Sequence, residues 1–431
     1  MAKKKNIEKA PREMTHRQLS HHKKQLRRQR IIFIGGISVI VAIVLIIMAG
    51  WFFGEYYPLQ KTIAKVYDTK ISESMFIDAM EIAARTQTDI DLYQQSSSIL
   101  SQLVRSELIR REAENLGITV NDEDVEAPLE GAEFLRNDAG RLTVRSSLLV
   151  DKLLTGYFDE QVPDSDTQVL MNAMLIENEE LAPEVQARIN NGDNFTVLAE
   201  EYALNTISRD SKGIFDWHPA AVLENKLGSS IPVDWAFSAE AKKGDISPAL
   251  NDTESNKKVG YWLIKVTENP GEGEALVQAL LLADRYQAED IKSQLESGGD
   301  LAALADQFSQ YSPSQTGHGD LGAVTDTQNI SAAFNAYVFS PDSEIGKWSS
   351  PIKDDTYWTK GGAWIVQVVD KEENRAVSED DRNALIYKAY NDWISNLFTN
   401  AGEEISYAIS DEQIQWAVDK VQKRLSETTS S

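Results

Sequence analysis

The sequence predicts an α+β protein carried on a single transmembrane helix. A helical domain, two successive α/β domains of about 100 residues each and a set of terminal helices would follow the helix. Three observations carry this. An uncharged run of 23 residues lies near the N-terminus, helical apolar periodicity fills the next hundred residues, and an internal repeat occupies most of the remainder.

Charge divides the chain first. Residues 1–30 carry 11 Lys and Arg against 2 acids, residues 31–53 carry no charge, and the rest has a net charge of −33. The run "IIFIGGISVIVAIVLIIMAGWFF", residues 31–53, would span roughly 34 Å as a helix, enough for a bilayer core. Trp51, Phe52, Tyr56 and Tyr57 have the composition of an interfacial belt, and the basic flank at 1–30 is the side retained in the cytoplasm. No small-residue cleavage site follows, so the reading is an uncleaved single-pass anchor with residues 54–431 extracytoplasmic. The acidic body repels phosphate, which excludes nucleic acid as a partner. With no Cys, and three of five His in the tail (His16, His21, His22), neither a thiolate site nor a His-based metal site is expected, and no cofactor is.

Residues 54–165 read as the helical domain. Thr62 opens a short β segment, and Ser72 is placed to cap the helix after it. In the next helix Leu100, Leu103, Val104 and Leu108 share a face, and Gly117 stands where a terminating glycine belongs. "QVPDSD" reads as a linker. The repeat then pairs "MNAMLIENEE" with "VQALLLADRY", "GDNFTVLAEEYA" with "GGDLAALADQFS", and "GYWLIKV" with "GAWIVQV". Its offset is 106 residues at Ala173/Ala279 and 102 at Trp262/Trp364, so the first copy holds four extra residues midway. The copies are placed at 166–270 and 274–371, with "NPGEGEA" as the linker between them. Residues 372–431 read as terminal helices. Ser378 caps the first, and "SEDDR" is a helix start rather than a metal site.

Two resemblances follow from these motifs. "VYDTKISESMF", "LIRREAENLGITV" and "DEDV" resemble the N-terminal chaperone domain of the SurA, PrsA and PpiD foldases. Both copies of the repeat resemble parvulin-type peptidyl-prolyl isomerases, most clearly in "GDLGA" at Gly319–Ala323 of the second; the first has "GIFDW" there. The resemblance implies that the C-terminal helices complete the chaperone domain. It also implies binding of unfolded or newly translocated polypeptides, with the protein-export machinery as a further candidate partner.

Isomerisation of an X–Pro bond crosses a barrier of about 20 kcal/mol without breaking a bond. A catalyst therefore needs an apolar proline pocket over a polar floor that favours the twisted amide. Parvulins build the floor from two His and an Asp or Cys. Those positions fall on Ala173, Asn205 and Trp262 in the first copy, and on Ala279, Tyr311 and Trp364 in the second. The polar floor is replaced in both. A Trp facing an Ala across neighbouring strands of the same copy would conserve core volume, Trp364 filling the space left by Ala279. The proline pocket falls on Ile330, Phe334 and Phe339 in the second copy, with Asp320 at its edge; the first has Gly228, Pro232 and Phe237. His318 and Asp320 are the candidates for a relocated polar group, and His218 is expected exposed in a loop. Three functions fit: a chaperone with degenerate isomerase sites, an active isomerase with a relocated floor, or a docking subunit of a membrane complex.

Overall fold

The computed structural model describes residues 37–429 apart from 272 and 342. The basic tail at 1–30 and the first six residues of the apolar run lie outside the described residues. The chain divides into two units. One joins the N-terminal part up to Tyr157 with Tyr390–Ser431, and the other is Phe158–Ala389.

In the first unit, helix α1 (Ile37–Leu59) is long and apolar enough to cross a membrane, and its side chains are exposed up to Tyr57. It runs six residues past Phe53, where the sequence reading stopped, through a wider turn at Phe52–Tyr56. The one charged side chain in the extension, Glu55, is exposed and paired with Lys420. Strands β1 (Thr62–Val66) and β2 (Thr69–Ser72) form a hairpin, and Ser72 accepts a hydrogen bond from the Met75 amide (3.2 Å) to start α2 (Glu73–Thr86). Asp91 starts α3 (Leu92–Asn115) in the same way. Gly117, at φ +77°, ends α3 with the Ile118 amide bonded back to the Ala113 carbonyl. Helix α4 (Asp138–Lys152) packs on α2 and α3.

The C-terminal segment completes this unit. Strand Ile405–Tyr407 pairs antiparallel with β1, and helix Asp411–Thr429 buries Ala417, Val418 and Val421 against Phe76, Met80 and Leu103. Arg424 binds Asp78 (2.8 Å) and Glu81 (3.1 Å) of α2, fixing the helix at its other end.

The second unit contains two four-stranded antiparallel sheets of like design. Its strands are β3 (Ser165–Ile176), β4 (Ile214–Pro219), β5 (Leu250–Asn251), β6 (Gly260–Gly271), β7 (Glu274–Leu282), β8 (Asp320–Thr325), β9 (Ile352–Asp354) and β10 (Ala363–Ala376). The sheet orders are β4-β3-β10-β5 and β9-β6-β7-β8. This corrects the sequence reading, in which each copy closed on its own last strand. Strand β6, which ends the first copy, lies in the second sheet with Ile264 opposite Ala279. Strand β10, which ends the second copy, lies in the first sheet with Val366 opposite Ala173.

The two lobes have exchanged closing strands. The physical reason is the connection. "NPGEGEA" is the tight turn of a β6–β7 hairpin, with Gly271 and Gly273 at positive φ and Gly271 opposite Glu274, so pairing β6 with β7 closes a very short loop. Strand β10 then takes the vacancy beside β3. The second lobe is thereby inserted in the first. The two crossing connections pair at residues 256–257 and 359–360, where fully buried Lys257 donates to the Glu177 carbonyl.

The boundary to the terminal helices also moves. The first turns of helix Glu379–Ala401 belong to the second unit: Asp381 binds His218 (2.7 Å), and Arg382 binds Asp159 (2.7 Å). His218 is thus half-buried on β4, not an exposed loop residue.

Candidate functional site

Each lobe has at its centre a tryptophan delivered by the exchanged strand. In the second lobe Trp262 is fully buried, and its indole Nε1 donates to Asp354 Oδ2 (2.9 Å). Asp354 also accepts from the Thr356 amide (3.0 Å), the Thr356 hydroxyl (2.6 Å) and the Ser331 hydroxyl. In the first lobe Trp364, equally buried, donates to Asp252 Oδ2 (3.0 Å). Asp252 collects the hydroxyls of Ser229 (2.6 Å) and Ser255 (2.7 Å) and the amides of Glu254 and Ser255 (both 2.9 Å). Ser229/Ser331, Asp252/Asp354 and Trp262/Trp364 are all separated by 102 residues, so one constellation is built twice.

Burial opposes ionisation of these carboxyls, but their donors outweigh it. Asp252 is held down to about 2 by the two seryl hydroxyls, the indole N–H and a backbone amide. Asp354 is lowered in the same sense. Each lobe therefore holds a buried carboxylate whose charged form is favoured by four or five hydrogen-bond donors.

The remaining positions sort plainly. Ala173 and Ala279 are fully buried, but their partners are the reverse of those expected. Ala279 shares a core with Trp262, and Ala173 shares one with Trp364. Asn205 is buried and caps a short helix through the Ser208 amide (3.2 Å). Tyr311 stacks edge-on against Trp262 (5.2 Å) and Tyr357 (5.8 Å). Of the pocket residues, Phe334 lies fully buried beneath Trp262 (5.0 Å), Phe339 is half-buried on the same core, and Ile330 lines an open cleft.

That cleft, about 450 Å³, is walled by Tyr311, Leu321, Val324, Asn329, Ile330 and Tyr357. Burial and the adjacent Tyr311 and Asp354 push the Tyr357 phenol up to about 12, so it stays protonated and donates to the Ile330 carbonyl (2.7 Å). Asp320 is exposed and accepts from the Gly322 amide, while His318 is exposed and paired with Asp306 (2.8 Å). In the first lobe Gly228 ends a helix at φ +67°, Pro232 is buried, and Phe237 packs on the core. The sequence reading missed both aspartates and both serines. The repeat offset carried the signal: each recurs at the same 102-residue spacing as the tryptophans.

The helical unit offers a different surface. A groove of about 160 Å³ is lined by Ala79, Ile82, Ala83, Ile90, Ile99 and Leu103. A wider one of about 690 Å³ runs past Ile90, Leu92, Val418 and Leu425, with Asp89 and Asp91 also in its lining.

Comparison with known proteins gives two family matches. Residues 24–149 match the SurA-like N-terminal domain, and residues 283–369 match the PPIC-type peptidyl-prolyl isomerase domain. The chain therefore carries a SurA-like N-terminal domain and a PPIC-type isomerase domain, and it is similar to PrsA and SurA foldases. The foldase protein PrsA of Caldanaerobacter subterraneus is 28% identical over 205 residues, covering 44% of this chain and 63% of its own length. PrsA of Halalkalibacterium halodurans is 25% identical, covering 54% of this chain and 77% of its own length. The chaperone SurA of Methylobacillus flagellatus is 22% identical over 82% of this chain and 76% of its own length. The crystal structure of PrsA from Bacillus cereus aligns with 84% of this chain and 99% of its own at 13% identity and a TM-score of 0.25. The PPIC-type isomerase match ends inside β10, the strand that closes the other lobe.

Proposed function

We propose that this protein is a membrane-anchored extracytoplasmic foldase that acts mainly as a chaperone, with prolyl isomerisation near background in both lobes. The carrying observation is the repeated Trp–Asp pair. Trp262 with Asp354, and Trp364 with Asp252, fill the place where a parvulin keeps its polar floor, and both carboxylates already accept four or five hydrogen bonds. Clients would bind as unfolded polypeptides along the apolar grooves of the helical unit, and the acidic surround would favour basic or neutral segments. The N-terminus would be cytoplasmic, with α1 as the anchor. Clients would arrive from the export machinery.

One observation favours a second reading. The cleft beside Tyr311 and Tyr357 is open and lined by hydroxyl and amide groups, so an active isomerase would work from there. Two assays on residues 54–431 decide between them: isomerisation of a proline peptide, and suppression of aggregation of an unrelated unfolded protein. Suppression with background isomerisation is the expected result. Turnover at an ordinary parvulin's rate overturns it, and failure in both assays leaves a docking role.

A further inference from the structure

At the foot of the helical unit three lysines and a tryptophan gather beside the aromatic end of α1. Lys420, on the C-terminal helix Asp411–Thr429, pairs with Glu55 inside α1. Glu55 lies among Trp51, Phe52, Phe53, Tyr56 and Tyr57, all 40–66% exposed, so this contact holds the C-terminal helix level with the aromatic belt. Trp416 is half-buried one turn back and takes the Lys420 ammonium over its ring (5.0 Å). Lys423 is exposed one turn on, along the same stripe. Lys61 is exposed two residues beyond the end of α1; its carbonyl accepts from the Glu73 amide (2.9 Å), and Glu73 in turn binds Gln413 of the C-terminal helix (3.2 Å). Neither Lys61 nor Lys423 forms an ion pair among the described residues.

We propose that Trp416, Lys420, Lys423 and Lys61 form a surface that lies on the headgroup layer beside α1 and binds anionic phospholipid. The inference rests on α1 being the membrane anchor. A body with a net charge of −33 is repelled by an anionic leaflet, so unpaired lysines next to the anchor offset the repulsion locally. A tryptophan beside them is the side chain best suited to the headgroup boundary, having an apolar ring and a polar N–H. The surface would hold the C-terminal helix against the membrane, and with it the apolar groove that this helix borders through Val418 and Leu425.

The chain has no cysteine, so one spin label reports alone. Asp419→Cys places it on the exposed side of the helix beside Lys420. The labelled full chain is reconstituted in nanodiscs of phosphatidylcholine, with or without phosphatidylglycerol, and label depth is read from its relative accessibility to oxygen and to a water-soluble quencher. The expected result is headgroup depth only with phosphatidylglycerol, lost in K61E/K423E while circular dichroism and melting stay unchanged. A label in water in both lipids, in a chain that does enter the discs, overturns the proposal alone and leaves an acidic polypeptide as the partner of the lysines. A label at headgroup depth in both lipids overturns the requirement for anionic lipid and so the proposal. A chain that does not enter the discs overturns the anchor as well.

Discussion

Asp252 shows how one buried charge can serve as structure. Its five hydrogen bonds come from two hydroxyls, two amides and an indole, so removing the carboxylate strands several donors at once. Asp252→Ala should lower stability in chemical denaturation by several kcal/mol, since each buried donor left unsatisfied costs about 1–3 kcal/mol. Its pH signature has a definite sign. The folded carboxyl titrates near 2 and the unfolded one near 4, so the unfolded chain binds the proton first as pH falls. The stabilisation is complete above about pH 4 and disappears as pH approaches 2. Asp252→Asn should therefore flatten the fall of the unfolding midpoint across that window; an unchanged slope would show that the charge is not what the network holds. Trp364→Ala opens a cavity in the first lobe and should cost about 3–5 kcal/mol. Because its neighbour is Ala173 and not Ala279, Ala173→Leu in that background should recover part of the loss, whereas Ala279→Leu should not.

At the scale of elements, legibility ended where two strands became interchangeable. Helix starts at Ser72 and Ser378, the stop at Gly117 and both copies of the repeat could be read from local chemistry, because a cap or a glycine acts on its own neighbours. Which lobe a closing strand enters is a different kind of question. "GYWLIKV" and "GAWIVQV" present the same alternation and the same tryptophan, so neither sequence prefers its own copy. The short loop between β6 and β7 decides the matter, and its effect is visible only once strands are paired in space. The site suffered the same loss. Asp252 stands in a loop and Asp354 at the last residue of a short edge strand, and both look solvated until the exchanged tryptophans arrive above them. The exchange makes a sharp prediction about fragments. Residues 256–360 contain a complete second sheet and should fold alone, giving dispersed amide resonances and a cooperative melt. Residues 274–371 lack β6 and should not, although they contain the whole second copy of the repeat. Folding of 274–371 with native stability would mean that β10 closes its own copy.

For the whole molecule, the charge pattern and the C-terminal return have consequences that no single element shows. A reporter active only in the cytoplasm, fused after Ser431, should be silent, and activity there would reverse the proposed topology. Ending the chain at residue 404 removes the strand and helix that cover Phe76, Met80 and Leu103 of the helical unit. The truncated protein should bind a dye for exposed apolar surface and melt at lower temperature, although every residue of α2–α4 is present. Insertion of one lobe in the other also sets an order of events for a body that emerges from a pore beginning at the residues next to its anchor. Strand β3 appears early, with only β4 and unfinished edges for company, and must wait until residue 376 is out before β10 can cover it. Strands β6 to β9 emerge meanwhile and have everything they need. The lobe that is begun first is therefore finished last, and during that interval a foldase presents its own unpaired strand to the compartment in which it would guard others.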